Sequence, residues 1–288
     1  MNKKVLARLL RLYPVDALRA TWEIKGHPPK DDFVEIVAGN VKEDEIAEFC
    51  RAHHGRTKQR VILFDNNADA ITGFGNPLLH GQEPRFIRRT SNDLDEFYLV
   101  EFIYKAVVGG PPWTETSIEF AWPVGIAVDA KHVRFTFTVI EKNISTYLDG
   151  DLRAVGVRKE MNEDTIIGML IGGLDAPDMI APLDINKGVK TLWANGCFDS
   201  DSTRFKGAKS TSTETMDEKF LLKRDLPEEY AKAMKAPLLK TVFETLKPEL
   251  KYPPQFTVDP TAGELVVTRY SDAGNEVDNV VRAILAAN

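Results

Sequence analysis

Residues 133–140 read Val-Arg-Phe-Thr-Phe-Thr-Val-Ile. Phe135, Phe137 and Val139 alternate with Arg134, Thr136 and Thr138. That period of two turns one face of an extended strand into a core and leaves the other polar. Runs of similar character precede it at Phe97–Val108, Ser117–Trp122 and Gly125–Val128. Pro123, Gly125 and the turn Asp129-Ala130-Lys131 space these runs at hairpin distances. With Val61-Ile62-Leu63-Phe64 read as a buried strand, an antiparallel meander is expected over roughly 60–142.

Upstream of the meander the period changes. Leu6, Leu9, Leu10 and Tyr13 recur at helical spacing, with Lys4, Arg8 and Arg11 on the opposite side, which predicts a helix from Lys3 to Leu12. Pro14 suits the first turn of a second helix, because its missing N–H is not needed there. Leu18 and Trp22 share a face of that helix, and His27-Pro28-Pro29 breaks the chain. A third helix carries Phe33, Ile36 and Val37. A fourth, near Glu43–His54, carries Ile46, Phe49 and Cys50, with Gly55 as its C-terminal cap. Short helices with single apolar stripes are stable only when packed together, so a small bundle is expected.

After residue 143 the pattern weakens. Thr165–Leu174 reads as a short helix, Val189–Trp193 as a short strand, and 199–219 as a polar loop. Asp225 reads as the cap of a helix holding Pro227 in its first turn, and Pro237 as the start of another helix ending near Leu246. Phe256–Val258 and Glu264–Thr268 form a hairpin. A closing helix gathers Val277, Val280, Val281, Ile284 and Leu285 on one face, which needs a sheet or a partner to cover it; a second copy of the chain is one such partner. The fold class is α+β: a basic helical bundle at 1–58, then an acidic, mostly antiparallel sheet domain at 59–288 with C-terminal helices.

Charge separates these two parts. Residues 1–60 hold twelve Lys and Arg against nine Asp and Glu, whereas the whole chain carries −6. A pI near 5.5 argues against an overall polyanion-binding surface and leaves room for one basic patch. No run approaches the roughly eighteen apolar residues of a membrane span. Arg8 and Arg11 interrupt the early apolar stretch, so it does not read as a signal peptide. Two distant cysteines, Cys50 and Cys197, make no disulfide framework, which suits a reducing, cytoplasmic setting.

Few residues carry chemistry by spacing. Cys50, His53 and His54 fall at i, i+3 and i+4, but zinc needs three or four ligands and no second Cys/His pair completes them, so neither metal nor cofactor is expected. Gly73-Phe74-Gly75-Asn76-Pro77 lacks the third glycine of a phosphate loop and reads as a turn. Asp199 and Asp201, followed by Asp217-Glu218-Lys219, supply the acid-x-lysine pattern of a metal-dependent hydrolase or nuclease, the enzyme reading of this chain. The other reading is non-catalytic: a binding or adaptor protein. Lys4, Arg8 and Arg11 form a stripe; Arg56, Lys58 and Arg60 follow the fourth helix; Arg85, Arg88 and Arg89 add a third cluster. Such cations neutralise phosphates or acidic side chains, so nucleic acid or an acidic protein is the expected partner.

The pattern Leu12-x-Pro14-x-x-x-Leu18-x-x-x-Trp22, then Ile36-Val37, Ile46, Phe49 and Gln59-Arg60-Val61-Ile62-Leu63-Phe64, resembles the pyrin-like opening of the centromere protein N family over about the first 65 residues. The resemblance implies a small helical domain ahead of a sheet domain, no catalysis, and phosphate contact by Lys4, Arg8, Arg11, Arg56, Lys58 and Arg60.

Overall fold

The computed structural model describes residues 1–67, 71–72, 85–89, 94–108, 114–140, 154–158, 163–206, 211–215 and 220–288. The protein is α+β, with helices at both ends and antiparallel strand pairing. It divides into two compact units: Met1–His54, Asp69–Ala130 and Phe137–Met179 form the first, and Gly55–Ala68, Lys131–Thr136 and Ile180–Asn288 the second.

The first unit begins with four helices where the 3.6-residue period places them: α1 (Lys3–Arg11), α2 (Val15–Thr21), α3 (Lys30–Asn40) and α4 (Glu43–Ala52). Asn2 caps α1, its side-chain oxygen accepting from the Val5 amide at 3.0 Å. Asp31 and Asp32 open α3, and Glu43, Asp44 and Glu45 open α4, each complementing the positive helix end; α1 has no acidic residue in its first turn. The stripes meet as expected at Leu6, Leu9, Leu10, Leu18, Phe33, Val37, Ile46 and Phe49, all buried. Ile36 is the exception. It is 39 % exposed, and Val34 takes the inward position.

The same unit holds β2 (Arg85–Arg89), β3 (Leu94–Val108), β4 (Thr114–Val128) and β6 (Ala154–Arg158). The helices do not close their core alone: Phe97, Leu99 and Ala121 from β3 and β4 belong to the same buried cluster. β3 and β4 pair without a break from Leu94↔Val128 to Val108↔Thr114. Pro123, expected to separate two strands, sits within β4 opposite Leu99, because register is held by the pairs on either side of it. The helix α5 (Glu163–Ile171) occupies the expected place.

The second unit is a sheet in the order β1 (Gln59–Asn66), β12 (Glu264–Val267), β11 (Gln255–Asp259), β10 (Leu238–Thr245), β8 (Phe198–Lys206) and β9 (Thr211–Thr215), with β7 (Ile180–Pro182) also on β1. β5 (His132–Thr138) is divided, its residues to Thr136 belonging here. Three expectations are corrected. Leu238–Thr245 is a strand, not a helix, because the β-branched and aromatic run Thr241-Val242-Phe243 outweighs the helix-starting signal of Pro237. Val189–Trp193 lies inside the helix α6 (Asn186–Ala194), where Val189 and Trp193, one turn apart, are both fully buried. The segment read as a polar loop near 199–219 contributes β8 and β9, paired from Ser202↔Thr215 to Lys206↔Thr211. Two of its buried polar side chains are satisfied: the Thr203 and Thr241 hydroxyls lie 2.8 Å apart, and Asp199 accepts from the Trp193 indole at 2.8 Å.

The helices α7 (Leu222–Asp225), α8 (Pro227–Lys235) and α9 (Glu276–Ala287) complete the unit. Asp225 ends α7 instead of capping α8, whose cap position is Leu226. Val277, Val280, Val281 and Ile284 of α9 are buried in the second core with Val189 and Trp193. Gly188 permits this approach, since a Cβ there would stand 2.2 Å from the Ile284 carbonyl oxygen. The apolar face of α9 is therefore covered within its own unit, which removes the reason for closing it with a second copy.

Candidate functional site

The basic residues that the sequence groups together are divided between the two units. On α1, Lys4 is exposed. Arg8 donates to the Glu119 carbonyl at 2.9 Å, with its guanidinium carbon 5.9 Å from the Phe120 ring centre. Arg11 pairs with Asp31 at 3.1 Å. Arg8 and Arg11 are thus engaged within the first unit. Arg85, Arg88 and Arg89 lie on β2, opposite Leu99, Phe97 and Glu96.

Arg56, Lys58 and Arg60 belong to the second unit. Arg60 is neutralised across the β1–β12 ladder by Glu264, its Nε at 2.9 Å from one carboxylate oxygen and its terminal nitrogen at 3.3 Å from the other. Arg56 and Lys58 stand just before that ladder, whose outermost pair is Gln59↔Val267. The chain leaving β12 runs back beside them. The Ser271 amide donates to the Arg56 carbonyl at 3.3 Å, and the Lys58 ammonium lies 5.3 Å from the centre of the Tyr270 ring. Arg269, the residue before Tyr270, is exposed.

Gly55 matters here for space and not as a helix cap: a Cβ would fall 1.9 Å from the Gly274 carbonyl oxygen. His53 occupies the cap position of α4. The basic segment at Arg56 and Lys58 and the chain at Tyr270 and Ser271 are thus brought together, and Arg269 directly precedes Tyr270. Arg269 and Tyr270 escaped the sequence reading. Only the pairing of strands about two hundred residues apart, as in Arg60 with Glu264 at a separation of 204, brings them to the basic segment.

The carboxylates of the enzyme reading are placed differently. Asp199 is 1 % exposed. One of its oxygens accepts from the Trp193 indole at 2.8 Å, the Ser200 amide at 2.8 Å and the Lys223 amide at 3.0 Å; the other accepts from the Arg224 amide at 3.1 Å. It ties α6, β8 and the start of α7 together, so its lone pairs are spent on the fold and not offered to a metal. Asp201 stands at a bulge of β8, between the pairs Val242↔Ser202 and Phe243↔Ser200. Burial raises its carboxyl above the ordinary range. Asp217, Glu218 and Lys219 lie outside the described residues, as do Gly73–Pro77.

Cys50 is fully buried, and burial pushes its thiol up to about 12. The Tyr13 hydroxyl donates to the Cys50 carbonyl at 3.1 Å. His53 stacks on Phe49 with ring centres 4.4 Å apart, while His54 meets the edge of Phe97 at 5.2 Å. The three residues face packing partners, and among the described residues no group of three His, Cys, Asp or Glu is placed to hold a metal. No helix among the described residues is long and apolar enough to cross a membrane. Set against known protein families, curated proteins and solved structures, the chain matches none of them.

Proposed function

We propose that this is a non-catalytic binding protein that contacts the phosphate backbone of nucleic acid through Arg56, Lys58 and Arg269 of the second unit, with Tyr270 offering its ring to a base. The observation that carries the reading is the meeting of Lys58 with Tyr270 at 5.3 Å, which sets the basic segment after α4 beside an aromatic ring from the far end of the chain. Ammonium and guanidinium groups bind phosphate by charge, and a tyrosine ring stacks on any base, so contact of this kind is salt-sensitive and weakly sequence-selective. The non-catalytic phosphate contact implied by the resemblance to centromere protein N, which includes Arg56 and Lys58, is consistent with such a surface. Arg8, Arg11 and Arg60 serve internal contacts.

Fluorescence anisotropy with a short labelled duplex and its single strand tests this. Each neutralised phosphate contributes roughly −0.9 to the slope of log K against log salt for duplex, so the Arg56→Gln/Lys58→Gln/Arg269→Gln variant should flatten that slope by two to three and weaken binding at least tenfold at about 50 mM salt. Absence of binding by the unaltered protein at that salt, or an unchanged slope in the variant, overturns the proposal.

A further inference from the structure

The first unit carries a concavity of different character. It encloses about 190 Å³ between the start of α1 and the middle of the β3–β4 ladder, and Val5, Glu101, Phe102, Ile103, Glu119 and Phe120 contribute to its lining. Ile103 and Glu119 are direct cross-strand partners, and Glu101 lies two residues before Ile103, hence on the same face of β3. Ile103 is 45 % exposed although it continues the row of Phe97 and Leu99, which the helices cover.

The two glutamates differ in their surroundings. Glu119 accepts from the Asn2 side-chain amide at 2.5 Å, and its negative charge stands where α1 lacks an acidic residue of its own. Glu101 has no such duty. Among the described residues no hydrogen bond or ion pair reaches its carboxylate, although the residue is only partly exposed. An apolar side chain left half in water beside a carboxylate that no described cation reaches is a matched pair of deficits.

We infer that this groove receives a single lysine or arginine side chain presented by a segment of a partner protein. Such a side chain is amphipathic: its aliphatic stem covers apolar surface while its charged head reaches a polar group. Here the stem lies over Ile103 and the head reaches Glu101 and Glu119. Size agrees, since 190 Å³ corresponds to about six waters at roughly 30 Å³ each and falls below the roughly 300–1,000 Å³ of sites for drug-sized ligands or cofactors. By sequence the first unit carries a net charge of −9 and the second +3, which suits two kinds of partner: a polyanion for the second unit and a cationic protein segment for the first.

The test uses the full chain and a capped pentapeptide with one central arginine, alongside versions carrying lysine or uncharged, nearly isosteric citrulline. Binding is read by NMR from the Ile103 methyl groups and the Glu101 amide. Saturable shifts are expected with arginine and lysine, and at least tenfold weaker binding with citrulline. The Glu101→Gln/Glu119→Gln variant should weaken arginine-peptide binding at least tenfold. The equally charged control Glu228→Gln/Glu249→Gln, on exposed sites of the second unit, should change it less than twofold. Ile103→Ser, read at the Glu101 amide, should weaken it without altering charge. If the Ile103 and Glu101 signals stay still with the arginine peptide, or the control variant loses as much as the groove variant, the inference falls.

Discussion

At the scale of single residues, Asp199 shows how a carboxylate that looks catalytic in sequence can be structural. Four N–H groups converge on it, those of Trp193 and Ser200 in buried bonds and those of Lys223 and Arg224 in partly buried ones, and a buried donor left without its acceptor costs roughly 1–3 kcal/mol. Asp199→Ala should therefore cost at least about 3 kcal/mol in urea unfolding, and Asp199→Asn, which keeps one oxygen, clearly less. A carboxylate reserved for chemistry would leave stability almost unchanged on substitution. Cys50 makes a complementary point about pH. Its thiol titrates at about 12 in the folded protein against an ordinary 9.0. The unfolded chain releases this proton near pH 9 while the folded chain retains it, so the contribution is complete below pH 9 and is lost as pH rises towards 12. Burial raises the Tyr13 hydroxyl in the same direction. Cys50→Val should flatten the alkaline limb of the stability profile. At pH 8 about one native thiol in ten thousand is ionised, so a maleimide should label Cys50 only after unfolding.

At the scale of elements, the α6–α9 crossing rests on Gly188. Alanine in a helix interior ordinarily gains about 1 kcal/mol over glycine. Here the added Cβ meets the Ile284 backbone oxygen, which cannot swing aside as a flexible side chain would. Gly188→Ala should therefore reverse the usual sign and destabilise by about 1–3 kcal/mol, read as a lowered thermal midpoint. The same crossing is pinned by Asn288, whose side chain accepts from the Gly188 amide at 3.0 Å and donates to the Asp184 carbonyl at 3.0 Å. Which elements were legible in sequence follows from how strongly each carried its own period. α1 to α4 and α9 did, because a one-sided apolar stripe recurs every three or four residues. β10 did not: Pro237 and Leu238-Leu239 imitate a helix start, and only its neighbours β8 and β11 settle the matter. β8 was missed because its polar residues find partners that are distant in sequence, such as Thr203 with Thr241.

At the scale of the whole molecule, the contrast in charge between the opening residues and the rest was legible, but the grouping of cations was not. His53 through Arg60 reads as one basic tail, yet the division into units falls between His54 and Gly55. The pairing of Arg60 was hidden for a related reason: Glu264, its counter-ion, arrives from the far end of the chain. Arg269 and Tyr270 come from that same region, so no local pattern could have nominated them. The pairing that assembles this surface also sets a schedule. β1 is made early and its hydrogen-bonding partner β12 late, 204 residues on at the Arg60–Glu264 contact. At roughly 5–20 residues per second on the ribosome, the strand Gln59–Asn66 waits about 10–40 s for the partner on its β12 side, long after β5 on its other side has been made. A nascent chain carrying so apolar an orphan edge for that long is one that chaperones would be expected to shelter during synthesis.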